Sequence, residues 1–247
     1  INAMAVDLGQ DNFGRLVDFL DGISDLENGI IKVIHDLSFS DDPTRIFRAI
    51  RFKQRFGFAM DDHTEELLSE AVKSNFLNTI TKQRLRNELL LILKEIDVIP
   101  PLVRMSRFGL MRYIHPQVSL DDTIISMLGQ VKELISSTDA SLEYDRIDEV
   151  LLNLMVLLDQ LNEMQIGEVC ENLVFNSRYT ETLKLCKTRL KKALDAFEDT
   201  SPSMIYRLLN GLPLEGLIFG LIKSASDIQE DSIMSYLTDL GKVKPFV

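Results

Sequence analysis

The sequence predicts a mainly helical protein with a short β segment at its N-terminus. Up to residue 35 the apolar residues come in short, often β-branched runs separated by Gly, Asp and Asn, whereas after residue 36 they repeat at spacings of three and four. The 247 residues are 45% hydrophobic and 26% charged, which is the composition of an ordinary globular protein. Such a chain is long enough to bury a sizeable core.

The β segment begins with two short apolar runs, "AMAVDL" and "RLVDF", which are joined by the turn-forming stretch "GQDNFG". This pattern predicts a hairpin, and the following "GIIKVI" predicts a third short strand. Three strands with no helix to cover them make a poor domain by themselves. We therefore expect them to be the end of a larger sheet whose earlier strands are missing from this sequence.

The rest of the chain predicts a series of amphipathic helices. The helical spacing of apolar residues is found in seven segments: "HTEELLSEAV", "KQRLRNELLLILKEI", "TIISMLGQVKELI", "YDRIDEVLLNLMVLLDQL", "RYTETLKLCKTRLKKALDAF", "MIYRLLNGL" and "LEGLIFGLIKSA". Pro100 and Pro101 cannot continue a helix and predict a boundary between two helical groups. The pattern thus divides the chain into residues 1–35, 36–98 and 99–247.

The overall charge argues against a general affinity for nucleic acid. The formal net charge is -11 and the isoelectric point is about 4.8, so any binding of phosphate requires a local cluster of Lys and Arg. The sequence shows neither the roughly 18 uninterrupted apolar residues of a membrane span nor a signal peptide pattern. We expect a cytoplasmic protein with no membrane partner. Cys170 and Cys186 lack clustered His residues, which favours buried thiols over a disulfide or a zinc site.

The densest basic segment is "DDPTRIFRAIRFKQRFGF", residues 41–58, which has five cationic side chains and no carboxylate between Pro43 and Met60. Asp42 and Pro43 have the pattern of a helix N-cap followed by the first helical residue. At about 100° per residue, one arc of this helix is apolar and another arc carries four arginines. The apolar arc consists of Ile46, Phe47 and Ile50, and the arginine arc of Arg45, Arg48, Arg51 and Arg55.

Two interpretations of the arginine arc follow from the residues alone. Like charges three and four residues apart repel, so an unpaired arginine arc costs stability. The arginines either pair with carboxylates elsewhere in the fold or bind an anion from outside, and guanidinium groups match phosphate and base-edge acceptors well.

Four segments, in order, resemble motifs of the class II nucleotidyltransferases that act on RNA 3′ ends, namely CCA-adding enzymes, A-adding enzymes and poly(A) polymerases. "INAMAVDL" is similar to the second half of Arg-Arg-Asp-Phe-Thr-Ile-Asn-Ala-Met-Ala. "DFLDGISDL" resembles Asp-Pro-Phe-Gly-Gly-x-x-Asp-Leu but departs from it at Phe19 and Asp21. "DDPTRIFRAIRF" with "RFGF" resembles the neck motif, and "TKQRLRNEL" resembles Ser-x-Glu-Arg-Ile-x-x-Glu-Leu with Gln83 in place of the acid. The resemblance covers about residues 1–95.

The resemblance implies roles for individual residues. Asp42 and Arg45 would present hydrogen-bonding groups to the Watson-Crick edge of an incoming ATP or CTP, so that the protein itself acts as the template. Arg48 would lie near the nucleotide or its phosphates, and Asn2 would help to hold the sugar and triphosphate. A cluster of Lys82, Arg84 and Arg86 would contact an RNA acceptor stem, although Arg84 and Glu88 are also spaced for an i, i+4 ion pair.

The resemblance also shows what this sequence lacks. The family holds Mg²⁺ with an Asp-x-Asp pair preceded by a Gly-Gly-x-x-Arg-Asp loop, and neither occurs in this sequence. We therefore expect no catalytic residue and no metal ligand here, and no activity from the chain alone.

The family's organisation gives each part of the chain an expected role. Residues 1–35 would be the end of the catalytic head, residues 36–98 the nucleotide-selecting neck, and residues 99–247 a truncated body that binds tRNA. The expected enzyme adds CMP, AMP or both to tRNA 3′ ends. The alternatives are a poly(A) polymerase and a non-catalytic helical RNA-binding module, and the oligomeric state is left open.

Overall fold

The computed structural model describes residues 3–136, 147–197 and 201–239. It is mainly helical with a few short strands at the N-terminus, which confirms the predicted fold class. The chain forms two compact units. The first consists of Ile1–Glu95 with Pro100–Leu110, and the second of Ile96–Ile99 with Met111–Val247.

The first unit holds the strands and the first helices. Its strands are β1 (Met4–Val6), β2 (Leu16–Asp18), β3 (Ile30–Ile31) and β4 (Ala59–Met60). Its helices are α1 (Gly22–Glu27), α2 (Ser38–Asp41), α3 (Thr44–Phe56), α4 (Asp62–Lys73), α5 (Lys82–Leu93) and, from Pro100 on, α6 (Ile99–Arg107). A 3₁₀ turn lies at Phe76–Thr79. The two prolines occupy the first turn of α6, where a missing N–H costs nothing.

The predicted hairpin is confirmed. Strands β1 and β2 pair antiparallel, with Ala5 opposite Val17. The predicted third strand also forms, but it does not join the hairpin: β3 pairs in parallel with β4, a strand that the sequence pattern did not predict. Gly57 ends α3 with a φ of 67° and turns the chain from α3 back toward β3.

The core of the first unit lies between α3 and α5, which pack against each other. The apolar arc of α3 is fully buried, as predicted. The two helices bury apolar residues that include Ile46, Phe47 and Ile50 from α3 and Leu89, Ile92 and Leu93 from α5. Because the apolar face of α3 is buried in the core, the arginine arc lies on a different face of the helix.

The second unit is built from helices and 3₁₀ turns among its described residues. Its helices are α7 (Asp122–Ser136), α8 (Glu149–Leu157), α9 (Glu163–Asn172), α10 (Ser177–Leu185), α11 (Lys191–Ala196), α12 (Pro202–Leu209), α13 (Leu214–Lys223) and α14 (Asp227–Thr238). A 3₁₀ turn, Leu110–Tyr113, of which all residues but Leu110 belong to this unit, precedes α7, and a π-helical turn, Cys186–Leu190, joins α10 to α11. Every residue of α8 from 151 to 157 is buried.

Two helices of the second unit, α9 and α14, were not predicted from the spacing of their apolar residues. Helix α9 is started by a capping box in which Asn162 and Gln165 bond to each other's backbone N–H groups. Helix α14 is capped by Ser226, whose hydroxyl accepts the N–H of Gln229.

The two cysteines are buried and free, which confirms the interpretation as buried thiols. Burial raises the pKa of Cys186 to about 12. Over the described ranges, no single helix has the length and apolar composition of a membrane span, although α12 and α13 together meet that criterion and are bent by 118° relative to each other.

In the second unit, Cys186 packs so closely against α13 that one position there has no room for a side chain. A Cβ atom at Gly216 in α13 would lie 2.6 Å from the Sγ atom of Cys186, whereas a Cβ atom at Gly129 in α7 would meet nothing within 4 Å. Gly216→Ala is therefore expected to lower the free energy of unfolding by about 1–3 kcal/mol. Gly129→Ala, the matched control, is expected to raise it by about 0.5–1 kcal/mol through helix propensity. Urea unfolding of both variants checks this, and a stabilising Gly216→Ala would contradict the close approach.

Candidate nucleotide-binding site

The site is built at the start of α3. The Oδ1 atom of Asp42 accepts the backbone N–H of Thr44 at 3.1 Å and its hydroxyl at 2.6 Å. The N-cap position itself is taken by Pro43, which makes no side-chain cap hydrogen bond, so the predicted N-cap role of Asp42 is wrong by one residue. The helix begins one residue later than expected, because Pro43 precedes the first helical residue, Thr44, rather than being that residue.

The arginine arc of α3 divides into two pairs. Arg51 and Arg55 lie at the C-terminal end, where their Nη1 atoms are 3.4 Å and 3.7 Å from Oε1 of Glu95. Arg51 is buried, and its guanidinium carbon lies 4.6 Å from the ring centroid of Phe52. Pairing within the fold accounts for these two arginines, so the interpretation as internal ion pairs is correct for half of the arc.

Arg45 and Arg48, at the N-terminal end of α3, line a cavity of about 440 Å³ within the first unit. Arg45 donates from Nη1 to the backbone oxygen of Ser38 at 3.2 Å. Within the described part of the chain, no carboxylate oxygen forms an ion pair with either arginine. The charge of Arg48 does act on the carboxyl of Glu88, where it works to lower the pKa against the effect of burial. Without a close ion pair, both guanidinium groups can still meet an anion that enters the cavity.

Aromatic rings form part of the cavity wall. Phe52 and Phe58 line the cavity and are half-buried, and Phe56 contacts both, with ring centroids 5.8 Å and 5.4 Å away. All three rings follow the helical and turn spacing that is typical of core packing, which predicts that they are buried. This prediction is wrong for Phe56, which is 47% exposed. Helical periodicity could not reveal the cavity wall, because the opposite side comes from β3 and the residues that follow it.

The turn after β2 closes the cavity from another side. The carboxylate of Asp18 accepts the N–H groups of Leu20, Gly22 and Ile23 at 3.3, 2.9 and 2.8 Å. These bonds, that of Ile23 above all, lower the pKa of Asp18. Asp21 adopts a left-handed φ of 54°, which a glycine would reach without strain. Asp21, where the family motif has Gly, thus adopts a backbone conformation typical of Gly, and the turn brings Asp25 to the cavity.

Asp42 is held by a residue from another helix. The Nη2 atom of Arg84, in α5, lies 2.9 Å from Oδ1 and 2.8 Å from Oδ2 of Asp42. Burial works to raise the pKa of Asp42, but hydrogen bonds from Thr44 and Arg84 outweigh it and hold the pKa below its usual value. The close ion pair of Arg84 is with Asp42 and not with Glu88, although the charge of Arg84 is one of those that act to lower the pKa of Glu88. The Oε2 atom of Glu88 is buried without a described partner, and burial raises the pKa of Glu88.

The predicted site residues are placed as follows. Arg45 and Arg48 line one cavity, and Asp42 lies one helical turn before Arg45 but is not among the lining residues. Lys82 is exposed at the start of α5, and Arg86 contacts the side chain of Asn87. Asn2 lies outside the described residues.

The described residues do not fit the Mg²⁺ that the family resemblance implies. In the ranges 3–136, 147–197 and 201–239, no group of three or more His, Cys, Asp or Glu side chains is arranged to hold a metal ion. We assign no chemical step through a metal to the residues of this chain.

The segment that contains α4, α5 and α6 matches a known family. Residues 57–121 match the family model described as "Probable RNA and SrmB- binding site of polymerase A". The match covers about a quarter of the chain and shows that this segment is similar to an RNA-binding region of polymerase A, so the class of protein is decided together with the curated relatives.

Curated relatives specify the family. The chain is 36% identical to the A-adding tRNA nucleotidyltransferase of Geobacter sulfurreducens over 97% of its own length, and 30% identical to that of Aquifex aeolicus over 99%. The chain belongs to the class II tRNA nucleotidyltransferase family, as its motifs predicted. It spans 28% and 29% of the lengths of these two relatives.

Solved structures show the same architecture. A CCA-adding enzyme in complex with ATP superposes with a TM-score of 0.79 and 30% identity, over 98% of this chain and 57% of that one. The CCA-adding enzyme of Thermotoga maritima in complex with tRNA superposes with a TM-score of 0.77 and 29% identity, over 99% of this chain and 60% of that one.

Proposed function

We propose that this chain is the nucleotide-selecting and RNA-contacting part of an enzyme that adds AMP, CMP or both to the 3′ end of tRNA. The observation that carries the proposal is the pair of arginines, Arg45 and Arg48, that line a cavity without a described carboxylate partner, one turn after an oriented aspartate. A similar chain that binds ATP supports this assignment.

The proposed selection of the base follows from hydrogen-bond chemistry. Asp42 offers an acceptor and Arg45 offers donors, which match the amino group and ring nitrogen shared by adenine and cytosine. Guanine and uracil present a carbonyl where the amino group would be, so the half-buried carboxylate of Asp42 would face another acceptor. Arg48, deeper along α3, would meet the phosphates, and Asn2 would contact the sugar and triphosphate.

The other parts of the chain take their roles from the same proposal. Residues 1–35 would belong to the catalytic head, 36–98 to the neck, and 99–247 to a body that binds tRNA. Lys82 and Arg86 on α5 would contact tRNA phosphates. The Mg²⁺ ligands would come from a part of the relatives' length that this chain does not span. A cytoplasmic location stays a prediction of the sequence.

Addition of AMP alone is the favoured form of the activity. The A-adding enzyme of Geobacter sulfurreducens is 36% identical over 97% of this chain, whereas the matched CCA-adding enzymes are 27% identical over 82% of it and 30% identical over 98% of it. A non-catalytic RNA-binding module and a poly(A) polymerase are the competing functions.

Nucleotide incorporation by the full gene product that contains this chain tests the proposal. Three tRNA substrates are offered with labelled ATP or CTP: one ending in C-C, one lacking all three terminal nucleotides, and one already ending in C-C-A. We expect one AMP on the first substrate, no CMP on the second and nothing on the third. The third substrate is the control for untemplated extension.

The other outcomes separate the alternatives. CMP addition to the second substrate would establish a CCA-adding enzyme. Long runs of AMP on all three substrates would establish a poly(A) polymerase. Binding of tRNA without any incorporation would overturn the proposal and favour a non-catalytic module.

A further inference from the structure

The contact between Arg84 and Asp42 carries an inference that rests on the proposed function and extends it. The two residues are 42 positions apart in the chain, and the fold joins them by packing α5 against α3. A single nitrogen, Nη2 of Arg84, bridges both carboxylate oxygens and also lies 3.1 Å from the hydroxyl oxygen of Thr44. The three side chains form one hydrogen-bonded unit.

The two oxygens of Asp42 are used unequally. An ionised carboxylate has about four lone-pair positions. Oδ1 accepts the N–H and the hydroxyl of Thr44 as well as the Arg84 guanidinium, so its capacity is filled. Oδ2 accepts only from Arg84 among the described residues. One acceptor position therefore remains, and it is on Oδ2.

Arg84 helps to fix the direction of the unused acceptor position on Oδ2 of Asp42. The torsion that rotates a carboxylate is broad and roughly two-fold, so an unrestrained aspartate would exchange its two oxygens. Thr44 holds Oδ1 from one side of the helix start, and Arg84 closes the bridge from α5. Arg84 itself is 53% exposed at the side chain, while the Asp42 side chain is 22% exposed. The orientation is thus imposed jointly by Thr44, at the start of α3, and by Arg84 from α5.

We propose that Arg84 is a positioning residue for nucleotide selection: it orients the Asp42 carboxylate so that Oδ2 accepts the amino group of adenine or cytosine. Thr44 also orients Asp42, because its N–H and hydroxyl groups both donate to Oδ1. In this role Arg84 affects the choice of base, and it does so through Asp42. A contact between Arg84 and an RNA phosphate would not affect the choice of base.

The test is a double-mutant cycle in the full gene product that contains this chain. The measured quantity is the ratio of kcat/KM for ATP to kcat/KM for GTP, with the substrate tRNA held saturating. We expect Arg84→Ala to lower this ratio about tenfold, because a charge-assisted hydrogen bond that orients the acceptor is lost. In the background of Asp42→Ala, Arg84→Ala is expected to have no further effect on the ratio. Arg84→Lys keeps the positive charge and one donor nitrogen, and it is expected to lower the ratio less than Arg84→Ala does.

The matched control is Lys94→Ala, which removes an exposed cation from the end of the same helix and is expected to leave the ratio unchanged. Equal losses for ATP and GTP, or a raised KM for tRNA with an unchanged ratio, would overturn the proposal and assign Arg84 a structural or RNA-binding role. A full effect of Arg84→Ala in the Asp42→Ala background would overturn it as well. A wild-type protein that incorporates no nucleotide would instead be a failure of the proposed function.

Discussion

Replacing Arg45 with alanine is expected to lower kcat/KM for ATP by about 10- to 100-fold and to remove most of the preference for ATP over GTP. The side chain lines the cavity and is held by the backbone oxygen of Ser38, so its remaining N–H groups are pre-oriented for a ligand. Without it, the ring nitrogen of adenine loses its donor, whereas Asp42 and Thr44 keep their contacts. Steady-state incorporation with each of the four nucleotides, in the full gene product, measures both effects.

Arg55→Ala is the matched control for this prediction. Arg55 belongs to the same helix and the same arc, but it is directed to Glu95 and does not line the cavity. Its removal is expected to leave nucleotide choice unchanged. If Arg45→Ala kept the preference for ATP and weakened only the binding of tRNA, the protein-template role of α3 would be wrong and the RNA-binding module would be favoured.

Truncating Phe47 to alanine is expected to lower the free energy of unfolding by about 3–5 kcal/mol. The ring is fully buried where α3 packs on α5, and its removal leaves a cavity that the surrounding helices cannot fill completely. The loss is a large share of the 5–15 kcal/mol that typically stabilises a protein. Urea unfolding followed by far-ultraviolet circular dichroism measures it.

Phe19→Ala removes the same ring at a position that is 89% exposed, and it is expected to change the free energy of unfolding by less than about 0.5 kcal/mol. Similar effects at the two positions would contradict the packing of α3 on α5. The comparison is informative because both variants delete identical atoms and differ only in burial.

The sequence predicted secondary structure well where the pattern was local. The hairpin of β1 and β2 was predicted because turn-forming residues separate two apolar runs. The start of α3 was predicted to within one residue because an aspartate and a proline stand together there. Strand β4 was missed because two residues carry no periodicity, and it forms only because Gly57 returns the chain to β3.

The candidate site was predicted in part. Asp42, Arg45 and Arg48 could be named from the motif resemblance, and the arginine arc could be placed on one side of α3. The division of that arc could not be predicted, because it depends on Glu95, which lies 40 residues beyond Arg55 in the chain. The same holds for the cavity, whose walls come from separate segments.

The sequence by itself determined that this protein is mainly helical, that a β hairpin precedes the helices, and that α3 has an apolar face and an arginine face. These properties depend on side chains within a few positions of each other, where helix and strand periodicity are sufficient. Only the tertiary structure decided which arginines remain available to a ligand and which residue orients Asp42. Those properties depend on the approach of α5 and β3 to α3, and hydrogen bonds between residues 42 positions apart leave no periodic trace in the chain.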